Sequence, residues 1–212
     1  MNLSKSLEEN YNHIKTDFVD CSDFLIRKAK TGNREFLIMV CDGLIDSLQL
    51  SQMVVSPILR CDEIDIDTIK KSITNSVELN EAETFADCYY YVMSGFAVVL
   101  VDGEDKALAF GVQSPPARSV DVPSNEQSTK APKEAFVEVL NTNKALLRKR
   151  LKTPHLKLKQ IKLASSAPMP CVIAYMDDRA DKELVSQITL ALQSSNLNTL
   201  TDFGTLVPFI DT

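Results

Sequence analysis

Gly95-Phe96-Ala97-Val98-Val99-Leu100-Val101-Asp102-Gly103-Glu104-Asp105-Lys106-Ala107-Leu108-Ala109-Phe110-Gly111-Val112 is the stretch that decides the fold. Two apolar runs flank a polar tetrapeptide whose Asp-Gly pair tolerates the positive φ of a tight turn, so the segment reads as a β-hairpin. Just upstream, Phe85, Cys88, Tyr89 and Val92 recur at helical spacing, which predicts a helix over 84–93 with one buried face. Working outward toward the N-terminus, 24–29 and 35–41 read as strands around Thr31-Gly32-Asn33. Helices are expected at 3–14, from Asp46 to a stop or kink at Pro57, and at 68–73. Hairpins interleaved with helices define an α/β chain.

Downstream, Ser114-Pro115-Pro116-Ala117-Arg118 through Lys130 is rich in Pro, Ser, Asn and Gln and lacks apolar periodicity, which reads as a linker. The expected organisation is therefore an N-terminal α/β lobe over 1–113, a polar linker over 114–131 and a C-terminal α/β lobe over 132–212. Each lobe is expected to be a small mixed sheet flanked by helices. In the second lobe a helix should run from Pro132 to Leu151, since proline suits a first helical position and Pro154 stops the run. Phe136, Leu140, Asn143 and Leu147 are assigned to its inward face. Lys133, Asn141, Lys144, Arg148 and Arg150 are assigned outward, as candidate contacts to a neighbouring subunit or to anionic headgroups. Leu156 to Leu163 reads as a strand with a bulge near Gln160 that turns Lys157, Lys159 and Lys162 outward. A buried strand over 170–176, a helix capped by Asp181 and a short strand near 197–200 follow.

Charge divides along the same line. Residues 1–113 carry 10 basic against 19 acidic side chains, a net of −9, and residues 114–212 carry 13 against 10, a net of +3. No acid occurs between Glu138 and Asp177, a span that holds eight Lys and Arg. Nucleic acid is not the expected partner, because stacking needs aromatics among the cations and residues 139–174 have none. The five cysteines form an odd set with no Cys-x-x-Cys pair, so free thiols in a reducing, intracellular setting are expected. No apolar run approaches the roughly 20 residues of a membrane span, and no secretory leader opens the chain, so it is expected to be soluble as it stands.

Chemistry-bearing clusters are sparse. His155 and Cys171 could pair only if the thiol were exposed, and Cys171 opens a buried strand. Asp62, Glu63, Asp65 and Asp67 alternate as in a metal loop but lack its glycine and distal glutamate, and so read as a turn into a helix. Asp177 and Asp178 lie at a strand's C-terminal end and read as turn and cap. No catalytic, metal or cofactor-binding residue is expected, and the chain is not expected to be an enzyme.

Several blocks resemble a known family in order. They are Arg118, Asp121 and Pro123; Ala131-Pro132-Lys133-Glu134-Ala135-Phe136; Glu138-x-Leu140 with Asn143; Leu146-Leu147-Arg148-Lys149-Arg150-Leu151; and Cys171-Val172-Ile173-Ala174-Tyr175. Phe24-Leu25-Ile26-Arg27 and the run from Phe36 to Asp46 extend the likeness to the first lobe. Together these blocks resemble the region preceding the membrane spans in the A subunit of the GerA family of spore germinant receptors. The chain departs from the family where both glycines of the helix start are Ala131 and Ala135, where Lys133 replaces arginine, and at Pro168 and Pro170. The resemblance implies a cytoplasmic N-terminal region at the spore inner membrane, with spans expected after residue 212. It implies B and C subunits and further A subunits as partners, and a role in assembly, nutrient-triggered signalling or ion release. A cytosolic ligand-binding or regulatory module not tied to a channel is the alternative.

Overall fold

The structure is a computed structural model that describes residues 1–32, 34–73, 78–114, 135–164, 166–195, 197–198 and 203–210. It is an α/β chain with a five-stranded and a two-stranded sheet, each flanked by helices. The chain forms two compact units, one of residues 1–17 with 23–153 and one of residues 18–22 with 154–212. The expected linker over 114–131 falls, except for Ser114, outside the described residues. The helix expected to open the second lobe belongs to the first unit.

The first unit is built on strands β1 (Phe24–Thr31), β2 (Arg34–Cys41), β3 (Leu79–Ala82), β4 (Phe96–Val101) and β5 (Ala107–Gly111), ordered β1-β2-β4-β5-β3. Its strand pairings are antiparallel. Strand β4 is buried along its whole length because it is central and covered on both faces. Side chains alternate across the pleat. Phe36, Val40, Val99, Val101, Leu108 and Phe110 therefore meet Val54, Ile58, Ile64 and Ile69 in one core, while α1 (Leu7–Asp17) and α5 (Phe85–Val92) cover the opposite face. Burying Phe36 or Phe110 completely is worth about 1.5–3 kcal/mol each. A capping box starts α5: Thr84 Oγ1 accepts from the Asp87 amide at 3.1 Å and the Asp87 carboxylate accepts from the Thr84 amide at 3.2 Å.

Pro57 does not stop its helix, which runs on to Leu59. Asp46 caps α2 (Ser47–Gln49), a π-helical segment (Leu50–Val55) follows, and α3 (Ser56–Leu59) carries on through the proline. The Ser56 amide reaches back five residues to the Ser51 carbonyl. Pro57 stands directly after this π-helical segment, whose wider turn accommodates a residue with no N–H to donate. Next come α4 (Ile66–Ile73) and, late in the first unit, α6 (Leu140–Arg150).

In the second unit β6 (Leu156–Leu163) and β7 (Met169–Met176) form an antiparallel hairpin. Residues 18–22 lie along β6: Leu158 N–H donates to the Asp20 carbonyl at 2.9 Å and Ser22 N–H to the Leu158 carbonyl at 3.1 Å. Their Cys21–Leu158 bridge is parallel. Helix α7 (Lys182–Gln193), capped by Asp181, and the short α8 (Val207–Ile210) complete the unit. Ile161, Leu163, Leu192 and Leu206 form its small core. No bulge interrupts β6, where Gln160 pairs directly with Val172. Lys157 and Lys159 therefore share a face with Ile161, which a sequence reading avoids because it cannot see their partners. Lys157 lies 3.3 Å from the Asp177 carboxylate and Lys159 lies 3.8 Å from that of Asp20. The strand expected at 197–200 is absent at 197–198, and its remainder lies outside the described residues.

Candidate functional site

The most organised polar structure in the first unit is centred on α6. The helix starts at Leu140, not Pro132, and Val139 gives it no side-chain cap. Asn143 reaches back instead: its carboxamide accepts from the Val137 amide at 2.8 Å and donates to the Val137 carbonyl at 2.6 Å. That pair of hydrogen bonds satisfies the half-buried amide expected to face the core. Phe136, assigned inward, is 65% exposed because it precedes the helix. Lys133 lies outside the described residues.

Arg148 and Lys144 overturn the expected orientation of this helix. Both are buried, Arg148 at 1% exposure and Lys144 at 4%. Arg148 Nε donates to Asp23 Oδ2 at 2.7 Å, Nη2 to Asp23 Oδ1 at 3.0 Å, and Nη1 to the Thr153 carbonyl at 2.7 Å. The planar guanidinium thus grips both carboxylate oxygens in a fork. Asp23 is itself fully buried and accepts a third contact from the Cys41 thiol at 3.2 Å. Such a pair survives burial only because each charge finds its opposite with further hydrogen bonds around it. Gly43 permits the close approach. It sits at φ +79°, and a Cβ there would come within 3.2 Å of both the Ala145 Cβ and the Asn141 carbonyl oxygen.

Fixing Arg148 inward sets the direction of its neighbours, since successive helical residues turn by about 100°. Lys149 and Arg150 are exposed, as are Leu151 and Lys152 beyond the last turn. The Lys152 ammonium donates to Ser94 Oγ at 3.0 Å and lies 5.5 Å from the centre of the exposed Tyr90 ring. Of the residues expected to face a partner, Asn141 and Arg150 are exposed, with Asn141 Nδ2 3.5 Å from Asp42 Oδ2.

A second polar feature of this unit is a cleft of about 590 Å³ lined by Arg34, Asp65, Asp67, Lys70, Glu81, Glu104, Asp105 and Lys106. Its cations are matched internally: Arg34 to Glu104 at 3.1 Å, Lys70 to Glu81, and Lys106 to Glu83 at 2.7 Å. Asp65 caps α4 by accepting the Thr68 amide at 2.7 Å, and that hydrogen bond holds its carboxyl below the usual range. The alternating acids therefore form the expected turn into a helix.

In the second unit His155 Nδ1 lies 2.8 Å from Asp177 Oδ1, with Asp178 close by. Burial raises the Asp177 carboxyl, but hydrogen bonds from His155 and Lys157 outweigh it and leave the group below its ordinary value. With an ammonium on one oxygen and an imidazole on the other, this carboxylate is committed to side-chain partners. The Cys171–His155 dyad does not form. Cys171 pairs with Ile161 while His155 precedes the Leu156–Met176 end of the hairpin, which puts the two roughly 15–20 Å apart at strand spacing. Burial also pushes the Cys171 thiol up.

Comparison with known proteins agrees with this architecture. The N-terminal domain of the A subunit of the Bacillus megaterium spore germinant receptor GerK3 superposes with a TM-score of 0.72 at 24% identity, covering 98% of this chain and 76% of that one. The fold is thus that of a germinant receptor A-subunit N-terminal domain. The family model for the Bacillus/Clostridium GerA spore germination protein matches residues 12–212, and the chain belongs to the GerA family. Spore germination protein B1 of Bacillus subtilis (strain 168) is 30% identical over 220 residues, covering 100% of this chain and 45% of that protein. Spore germination protein A1 of the same organism is 27% identical over 192 residues, covering 90% and 40%. An uncharacterized membrane protein of that organism, YfkQ, is 24% identical over 214 residues, covering 99% and 42%. The chain spans less than half the length of these curated relatives. Among its described residues, no helix is long and apolar enough to cross a membrane.

Proposed function

We propose that the chain is the cytoplasmic N-terminal region of the A subunit of a spore germinant receptor at the spore inner membrane. There it takes part in assembly with B and C subunits and with other A subunits, and couples nutrient arrival to germination signalling and ion release. The observation that carries this reading is the match to the GerA family over nearly the whole chain, joined to the shared fold of the GerK3 domain.

The test is genetic. In a spore former whose other GerA-type receptors are deleted, the complete gene is compared with one lacking the codons for this region. Nutrient-triggered loss of refractility should disappear on deletion. Germination at an unchanged rate would reject the reading. The alternative, a ligand-binding module unconnected to a channel, rests on the charged cleft. It predicts calorimetric heat with small charged nutrients that is lost on Arg34→Gln.

A further inference from the structure

We propose that the C-terminal end of α6, with Lys149, Arg150, Leu151 and Lys152 beside Tyr90, is a docking surface for an anionic lipid bilayer. This deepens the receptor reading, on which it rests, by naming a partner for one surface of the first unit. Three observations converge on it. The cations are consecutive or nearly so, all exposed, and they lie within a span of the chain, between Glu138 and Asp177, that contains no acid. In a chain of net charge −6 these cations thus stand in an acid-free span of the sequence. Acids beyond about 8–10 Å of it are screened at physiological salt.

The patch also has the apolar parts that a bilayer interface takes and a solvated face does not need. Leu151 is 42% exposed between Arg150 and Lys152, and Tyr90 is 59% exposed under the Lys152 ammonium. Tyrosine settles at headgroup level with its ring toward the acyl boundary, and Lys and Arg keep their stems in that zone while their charges reach phosphate. The one acid a turn earlier on α5, Asp87, is tied into the Thr84 capping box. The Arg148 fork on Asp23 fixes which face of α6 turns inward, and so leaves Lys149 and Arg150 on the exposed side.

The experiment uses the 212-residue chain and sucrose-loaded vesicles of phosphatidylcholine with 0 or about 30 mol% phosphatidylglycerol, pelleted over a salt series. Each Lys or Arg near an anionic leaflet is worth about a fivefold gain in partitioning. Anionic vesicles should therefore retain the chain roughly 100-fold better than neutral ones, with the difference falling as salt rises. Joint replacement Lys149→Gln, Arg150→Gln and Lys152→Gln should abolish that preference. Removing the same charge elsewhere, by Lys30→Gln, Lys162→Gln and Lys182→Gln, should leave it in place. If the triple patch variant fails to fold, Lys149→Gln and Arg150→Gln singly should each lower partitioning about fivefold.

Equal retention on neutral and anionic vesicles would overturn the proposal. So would loss of binding in the Lys30, Lys162 and Lys182 control. Self-association on light scattering that vanishes in the patch variant, without vesicle binding, would reassign the surface to protein and overturn it too. None of these results bears on the deletion test of the receptor reading, so the two fail separately.

Discussion

Arg148 and Asp23 make the most consequential single contact, because each is a full charge with almost no water around it. Removing one partner leaves the other unpaired, so Arg148→Ala should cost about 3–5 kcal/mol in urea unfolding. Replacing both with apolar residues of similar size should restore most of that loss. An Arg148→Glu, Arg150→Glu double variant should unfold because of position 148 alone, while Arg150→Glu leaves the fold intact. Gly43→Ala should also destabilise the unit, since an alanine there must adopt positive φ and press on Ala145. None of this was legible locally. Arg148 sits in a run of four cations within five residues, and such a run ordinarily marks a solvated face. Its partner stands 125 residues away, and no periodicity in the helix announces a lone acid beside β1.

At the scale of elements, strongly patterned segments were readable and weakly patterned ones were not. The β1–β2 and β4–β5 hairpins follow from apolar runs around turn residues. The Asp181 cap follows from a side chain able to accept the first orphan amides, and the structure adds a Thr84 cap of the same kind on α5. Thr84→Ala should lower stability by about 1 kcal/mol, seen as a fall in Tm of a few degrees. Strand β3 went unseen because Leu79-Asn80-Glu81-Ala82 has almost no β-forming residues; it is held by its register with β5. The α6 surface was half legible: its cations were visible as a cluster, but which of them point outward depended on Asp23 and Gly43. On α5, burial pushes the Cys88 thiol up to about 12. Cys88 should therefore resist alkylation at pH 8 in the native chain and react at once in urea, as mass spectrometry of labelled peptides would show.

For the whole molecule, the two units do not correspond to two halves of the sequence. A truncation at residue 131, where composition alone would cut, discards α6 and strands Asp23 without its guanidinium. A 1–131 chain should be markedly less stable than a 1–153 chain when both are melted under the same conditions. Acid should weaken the second unit through Asp177. Its carboxyl titrates below the ordinary value in the folded state, so the stability it lends is present above about pH 4 and is lost as pH falls through the folded value. Asp177→Asn should accordingly destabilise the chain at pH 7 and make little difference near pH 2, in paired denaturation curves. The segment 18–22 also has a consequence for how the protein is made. Its strand partner, Leu158, leaves the ribosome some 135 residues after it. At about 5–20 residues per second, the nascent chain spends roughly 7–27 s with Phe18 to Ser22 waiting for β6. Asp23 waits nearly as long for Arg148. Completion of both units therefore waits until residues 148 to 158 have been made, and a pause in translation before codon 148 would leave the growing polypeptide with its buried acid open to water and to chaperones.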